Sequence, residues 1–575
     1  MDPNRRRSAT HRSEQYQIAD LLVDPGCQRV MRGDTEIALP KLSFDLLLAL
    51  LRAAPNVISY EELMDQVWPG LVVNSETVSQ RVKLLRDALG DDSRQARYIA
   101  SLRARGYRLI PDVQPVAPLA FNPPAHSIAV LPFVNMSGDP QQEYFSDGMA
   151  EELLNSLVRI SELKVPARTS AFAFKGKDMD VGDIARRLNV GAILEGSVRK
   201  AGNKVRITAQ LIKATDGYNL WSQTYDRTLD DIFVVQDDIA GEVVKALKLT
   251  LLGTTSVTRS RPVDPEAYNL ALQGHFFLDR RGQQDLERSV DYFRRALERD
   301  PGYALGWAGL SQAYTRQAVS GFVPLADGIR RARESAAKAL ALDSQLVDAH
   351  LAMGSIQQSY DWDWEAADAS FRRALALEPG NAEALRHASR QALTLGRLNE
   401  AVDLANQAID RDPLRPNSYS NLGVALLAVD HDAEAEAAFR KALELDPGGA
   451  RRHYAIGLAL LLQGKPDAAL QEMQQETHEI YRFSGLPLVF PALGPHGESE
   501  AALAALKGRY AGDAAYQVAE AHAFRGETDL AFEWLERAHA QRDSGVNDIK
   551  GDRLMRGLAS DPRYKAFVRK LKLPE

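Results

Sequence analysis

Arg94, Arg97, Arg103, Arg105 and Arg108 fall within fifteen residues, 94–108, that contain no acid. Guanidinium groups at that density can pair with several anionic oxygens at once, which suits a polyanion better than a small ligand. Just upstream, Val78, Val82, Leu85 and Leu89 recur at i, i+4, i+7 and i+11, the spacing of one buried helical stripe. The opposite side carries Ser79, Gln80, Lys83 and Arg86, the hydroxyl, amide and cationic types that hydrogen-bond base edges and phosphates. With Asn74, Ser75, Thr77 and Arg81 around the first turns, and with Arg103, Arg105 and Tyr107, these are the candidate nucleic-acid contacts. Tyr107 and Trp68 suit packing better than stacking on bases. A solvated charged helix and hairpin in some other small domain is the plain alternative.

The elements that must hold these residues follow from pattern. Residues 42–52 have helical apolar spacing and stop before Pro55. Ser59 begins a second helix with acids in its first turn, ended by Pro69 and Gly70. Asn74 or Ser75 caps the third, and Gly90 stops it. Residues 98–102 and 106–110 read as two short strands with Arg103-Ala104-Arg105 at the tip. Two leading strands are expected over 16–23 and 29–39.

Three helices and a basic hairpin in this order resemble the OmpR/PhoB-type winged-helix DNA-binding domain, over residues 16–112. The resemblance rests on Leu63-Met64-Asp65-Gln66-Val67-Trp68, on Thr77-Val78-Ser79-Gln80-Arg81-Val82-Lys83-Leu84-Leu85-Arg86, and on Tyr98-Ile99 with Arg105-Gly106-Tyr107-Arg108. It is closest in kind to the CadC/ToxR-type branch, and implies a helix in the major groove of promoter DNA with a wing on phosphates. Leu84 stands where many relatives have arginine, so base readout is not carried over, and falls instead to Ser79, Gln80 and Lys83. Residues 1–15, a disordered basic arm, leave no space for a receiver domain, and no phosphorelay is expected.

Residues 113–125, rich in proline, read as a linker. Beyond them, 126–252 alternate strands and helices as a compact α/β domain. Strands are expected at 128–133, 163–167, 192–199, 205–213 and 218–225, and helices at 147–160, 181–188 and 231–251. AVLPFVNMSGDPQQEYFSDGMAEEL, GAILEGSVRKAGNKVRITAQLI and LWSQTYDRTLDDIFVVQDDIA resemble a TolB-N/FlgO-like domain, which implies sensing or assembly. Asp139, Glu143 and Asp147 could gather a cation or simply cap helices and face water. No Gly-rich phosphate loop, nucleophile elbow or paired-histidine motif is present, so no catalytic residues and no cofactor are expected.

After a second break at 253–265, residues 266–575 repeat. Pro379, Pro413 and Pro447 are 34 residues apart, the tetratricopeptide period. Tyr419, Leu422, Gly423, Leu426, Ala435, Phe439, Ala442 and Pro447 fill the positions where that repeat needs aromatic, small and helix-ending residues. An interruption is expected at 483–498, where glycine and proline break the period, and a further helical pair over 516–538. The first helices of such pairs line a groove that takes a peptide or protein partner, and Arg386, His387, Arg390, Asn421 and Arg451 are placed to face it. Together they could grip a carboxylate; an ordinary wet face with scattered charges is the alternative. His275, His350, His387 and His453 lack metal-ligand spacing.

The chain of 575 residues, 45% apolar and 26% charged, is too long for one core. Its net charge of −7 confines polyanion binding to a local basic surface. One cysteine, Cys27, excludes an internal disulfide and fits a reducing cytoplasm. No window approaches the ~20 apolar residues of a membrane helix. The reading is a multidomain cytoplasmic regulator that binds promoter DNA, as a homodimer on adjacent half-sites, and receives a signal through its middle and repeat domains. The runner-up is a tetratricopeptide scaffold with minor DNA binding.

Overall fold

The computed structural model describes residues 15–25, 29–33, 35–37, 39–68, 73–92, 95–102, 105–116, 123–124, 126–160, 162–177, 179–228, 232–246, 264–280, 282–494 and 496–574. Residues 1–14 of the expected arm, Pro69, Gly70, Arg94, Arg103 and the breaks at 117–122 and 253–263 lie outside the described residues, whereas Gln15, read as the end of the arm, opens a strand. The chain divides into two compact units, 1–122 and 123–575.

The first unit opens with β1 (Gln15–Ile18), β2 (Leu21–Asp24), β3 (Arg29–Arg32) and β4 (Thr35–Glu36). The expected strand over 16–23 is two strands, because Ala19 adopts a left-handed φ of 53° and turns the chain so that Ile18 pairs with Leu21. Helices α1 (Lys41–Ala53), α2 (Tyr60–Val67) and α3 (Ser75–Leu89) follow, then β5 (Ile99–Leu102), β6 (Gly106–Leu109) and β7 (Val113–Val116). Ser59 and Glu62 close a capping box on α2. Phe44, Leu47 and Leu50 of α1 bury against Leu63 and Val67 of α2 and against Val78, Val82, Leu85 and Leu89 of α3. The linker expected from residue 113 starts later. β7 pairs antiparallel with β1, Ile18 opposite Val113 and Gln17 opposite Gln114, giving the sheet order β4-β3-β2-β1-β7. As the outer strand, β7 tolerates the missing N–H of Pro115 and covers an edge that β1 would otherwise expose.

In the second unit, β8 (Ile128–Val130), β9 (Val134–Asn135), α4 (Glu143–Val158), α5 (Arg168–Phe172), α6 (Val181–Leu188), β10 (Ala192–Ala201), β11 (Lys204–Lys213), β12 (Asn219–Thr228) and α7 (Ile232–Ala246) make the α/β part. β12, β11 and β10 run antiparallel, and β8 and β9 join β10 in parallel. The strand expected at 163–167 is reduced to a single bridge, Ser127 to Lys164; Pro166 has no N–H with which to extend a ladder.

Helices then pair in sequence: α8 (Pro265–Arg280) with α9 (Gln283–Arg299), α10 (Ala304–Val319) with α11 (Leu325–Leu342), α12 (Val347–Ile356) with α13 (Trp364–Leu377), and α14 (Ala382–Thr394) with α15 (Leu398–Arg411). Next come α16 (Pro416–Ala428) with α17 (Asp432–Leu445), α18 (Arg452–Leu462) with α19 (Pro466–Gln475), α20 (Glu479–Leu493) with α21 (His496–Tyr510), and α22 (Ala515–Phe524) with α23 (Thr528–Gln541). Two 3-10 turns, Ser544–Asp548 and Arg553–Leu558, lead to α24 (Pro562–Lys570). Close approach within pairs has one repeated cause. A Cβ on Gly423 would meet the Phe439 ring at 2.4 Å, and one on Gly354 would meet Phe371 at 2.6 Å.

The α/β part, read as 126–252, packs against the first helix of the repeats, read as 266–575, within one compact unit. Tyr268 and Leu272 of α8 bury among Phe145, Met149 and Leu153 of α4. Tyr144 donates to Asn269 at 2.8 Å, Arg168 pairs with Asp279 at 2.6 Å, and the Ala167 amide donates to the Arg411 carbonyl at 2.7 Å.

The interruption expected at 483–498 is a helical pair instead. Pro487 and Pro491 lie inside α20. Pro491 has no N–H for the carbonyl four residues back, that of Pro487, and the buried Ser499 hydroxyl of α21 donates to that oxygen at 3.1 Å. Ser499→Ala therefore leaves a buried carbonyl unpaired and should lower stability by roughly 1–3 kcal/mol. Hydrogen exchange of α20 and α21 would register it as faster opening there.

Gly106 occupies a position that leaves no room for a side chain. Its φ is +127°, and an added Cβ would stand 1.9 Å from the Ile58 carbonyl oxygen, where Ile58 and Tyr107 exchange backbone hydrogen bonds of 2.9 and 3.0 Å. Gly106→Ala should cost on the order of 3 kcal/mol. The Ile58 and Tyr107 amides should lose about two orders of magnitude of exchange protection.

Candidate nucleic-acid interface and repeat chamber

Asn74 caps α3: its Oδ1 accepts from the Thr77 amide and the Thr77 hydroxyl, each at 2.9 Å. The apolar stripe is fully buried, so the helix rotation is fixed and the outward set is determined. Ser75, Thr77, Ser79, Gln80, Lys83 and Leu84 are exposed, and Arg81 is half-buried. The Ser79 hydroxyl donates to the Ser75 carbonyl at 2.9 Å and lies 3.2 Å from the Tyr107 hydroxyl, so much of its bonding capacity stays inside the protein. Gln80 and Lys83 make no hydrogen bond or ion pair among the described residues, and Leu84 is 52% exposed beside them.

Two sequence candidates turn inward. Arg86 donates from Nη2 to the Ile99 carbonyl at 2.8 Å and the Ser101 hydroxyl at 3.0 Å, with Nε 3.8 Å from the buried Asp91. It therefore ties α3 to β5. Tyr107 is buried, edge-on to Tyr60 with ring centroids 5.4 Å apart. Burial raises its hydroxyl above the usual tyrosine value.

Sequence reasoning missed Asp91. Its two carboxylate oxygens accept the amides of Arg97, Tyr98 and Ile99, which sets where β5 begins. The signal was its place directly after the Gly90 cap, where an acid can turn back onto the following chain. Nearby, Tyr98 donates to Asp20, which Arg32 and Arg97 also approach at 3.3 and 3.0 Å. The Tyr98 hydrogen bond holds the Asp20 carboxyl below its usual range. Arg97 is thus partly engaged, whereas Arg105 and Arg108 are exposed on the hairpin.

In the repeat region, Arg386, Arg390, Asn421 and Arg451 line one chamber of about 330 Å³, together with Tyr454, Tyr481, Glu520, Asp548 and Asp552. His387 does not line it. Its ring stacks on Phe371 at 5.1 Å and accepts from Arg386 at 2.8 Å, and burial followed by the Arg386 charge lowers its pKa. The groove is not open as expected. The chain's own 544–558 segment crosses the face made by α14, α16 and α18: Asp548 pairs with Arg390 at 2.7 Å, Arg553 with Asp430 at 3.0 Å and also with Asp432, and Arg556 with Asp430 at 2.7 Å. Trp364 Nε1 donates to the Leu571 carbonyl at 2.6 Å and anchors the chain beyond α24. A shallower concavity of about 600 Å³ beside Asn399, Tyr419 and Glu434 has no arginine in its wall.

The acids of the α/β part have partners. Asp139 caps a short turn by accepting the Gln141 amide at 2.9 Å, and Lys175 bridges Glu143 at 2.7 Å and Asp147 at 2.6 Å. Among the described residues no group of three metal-ligating side chains forms, and no helix is long and apolar enough to cross a membrane.

Residues 34–109 match the family described as transcriptional regulatory protein, C terminal, and 363–416 and 416–448 match tetratricopeptide repeat families. "Putative adenylate cyclase 3" of Rhizobium meliloti is 46% identical over 33% of this chain, a match spanning about a third (32%) of that protein. Transcriptional regulator HilA of Salmonella typhimurium is 23% identical over 67% of this chain and 68% of its own. Among solved structures, the DNA binding domain of E. coli CadC is 29% identical, with a TM-score of 0.17, over 18% of this chain and 97% of that one. The chain thus carries an N-terminal domain of the OmpR/PhoB winged-helix type, a middle α/β region and C-terminal tetratricopeptide repeats, and over most of its length it is similar to the transcriptional regulator HilA.

Proposed function

We propose that this protein is a cytoplasmic transcription regulator that binds promoter DNA with the outer face of α3 and the β5–β6 hairpin, while residues 123–575 receive the signal or partner. The carrying observation is α3 itself. Its inner stripe is locked into the core, and Thr77, Gln80, Lys83 and Leu84 form an exposed strip beside the cationic Arg105 and Arg108. Gln80 supplies base-edge hydrogen bonding and Lys83, Arg105 and Arg108 supply phosphate contacts, with Arg103 as a further candidate from the sequence. Two copies on adjacent half-sites would supply the specificity that one helix lacks.

The scaffold alternative needs a free inner face on the repeats, and the 544–558 segment lies across that face. The similarity to a protein named for cyclase activity covers a third of each chain, and we read it as a shared non-catalytic module. Incubated with ATP and magnesium, the full chain should form no cyclic AMP.

Gln80→Ala should cost roughly 1–3 kcal/mol of binding to a selected operator and relax preference at one base pair. Lys83→Ala should weaken binding to all sequences evenly and reduce the salt slope by about one. Arg86→Ala should act differently, by lowering stability, since it leaves Asp91 and the Ile99 carbonyl short of a partner. Fluorescence anisotropy across a salt series, with thermal unfolding alongside, separates the three. Unchanged DNA binding in both Gln80→Ala and Lys83→Ala would contradict the assignment.

A further inference from the structure

Five arginines line the 330 Å³ chamber, and four of them are matched by carboxylates of this chain. Arg386 pairs with Glu383 at 2.6 Å, Arg390 with Asp548 at 2.7 Å, Arg452 with Asp446 at 3.2 Å, and Arg553 with Asp430 at 3.0 Å. Arg451 alone has no carboxylate within ion-pair distance among the described residues, Asp548 and Glu520 acting on it only from further away; the residue is exposed at the chamber mouth and its guanidinium lies over the Tyr454 ring, 5.8 Å from the centroid. Its backbone is also an exception. The residues capping α14 and α16, Asn381 and Arg415, have ordinary φ values of −72° and −91°, whereas Arg451, capping α18, is left-handed at φ 70°. Trp362, Asp430, Arg542 and Lys572 of the repeats are also left-handed, and at Arg451 the conformation costs strain that the surrounding structure must hold.

Across the chamber stand Glu520 and Asp552. Asp552 accepts the Tyr516 hydroxyl and the Leu554 amide, each at 2.9 Å, while Glu520, among the described residues, shares a hydrogen bond only with Asp552. Burial, reinforced by the Asp552 charge, pushes Glu520 well above the usual carboxylate range, and burial pushes Asp552 up as well. Two neighbouring carboxyl groups in one chamber wall repel each other when both are ionised, and a ligand ammonium between them relieves that repulsion. The faces of Tyr454 and Tyr481, with rings 6.1 Å apart, supply apolar wall. The volume falls at the lower end of the ~300–1,000 Å³ range of small-molecule sites.

We propose that this chamber binds a small zwitterion of the amino-acid class, with its carboxylate on Arg451 and its ammonium on Glu520 and Asp552. Neither a simple anion nor a simple amine satisfies both walls, and a net-neutral ligand with separated charges does. The site extends the signal-receiving half of the proposed function. It is tested by binding alone, so its failure leaves promoter binding standing, and failure of promoter binding leaves it standing.

The experiment is calorimetric titration of the full chain with each of the twenty L-amino acids. For the tightest, the N-acetyl derivative and the carboxamide follow, each lacking one charge. Arg451→Gly is the deciding variant, because glycine accepts φ 70° without strain and the fold should melt no lower than the parent. Glu520→Gln, of matched shape, probes the other wall. Saturable binding of one or a few amino acids, weakened roughly tenfold or more by either cap and by either variant, is expected. Saturation by none of the twenty, equal binding by the capped forms, or parent-like binding by Arg451→Gly would each overturn the proposal.

Discussion

Arg390 of α14 and Asp548, which follow each other by more than 150 residues in sequence, meet at 2.7 Å with both side chains largely withdrawn from water. A charge in that setting is costly without its partner, so the pair favours one position of the C-terminal segment over all others. Arg553 and Arg556, reaching Asp430 and Asp432, repeat the constraint one helical pair further on. Together with the Trp364 hydrogen bond to Leu571, these contacts convert what a tetratricopeptide array ordinarily leaves as an open face into a walled chamber. They also bring Asp548 and Asp552 opposite Arg451, and so decide the chemistry of that chamber.

The winged-helix unit is organised around a similar device on a smaller scale. Asp91 accepts three consecutive amides at the start of β5 and faces Arg86, whose guanidinium reaches the Ile99 carbonyl and the Ser101 hydroxyl. The hairpin is thereby fixed to the helix beside which it must work. Gly106 completes the arrangement on the other strand, where only the absence of a Cβ lets the Ile58 backbone pair with Tyr107.

Much of this was legible in the amino-acid order. The spacing of Val78, Val82, Leu85 and Leu89, the Asn74 and Gly90 caps and the Gly423–Phe439 pairing are local signals, and each element stands where they place it. What was not legible depends on contacts between distant segments. No periodicity shows that Arg86 is consumed within the domain, since a cation on a helix face looks the same whether it meets a carbonyl or water, whereas the packing role expected of Tyr107 agrees with its burial. Val113–Val116 looked like linker because Pro115 disfavours a central strand, and only its outer position in the sheet reconciles the two. Pro487 and Pro491 were helix breakers by composition, with the compensating donor, Ser499, supplied from the next helix. Likewise four of the five groove candidates do line one chamber, but its acids come from residues 520–552, and their convergence has no local signature.

The central claim is that this chain selects particular DNA sequences through α3. The direct measurement is sequencing of fragments of the source genome retained by the full-length protein at near-physiological salt against excess random-sequence competitor. The account predicts enrichment of a small set of fragments sharing paired half-sites about one helical turn apart, or a multiple of it. Retention that merely follows fragment length, with no shared sequence, would contradict it.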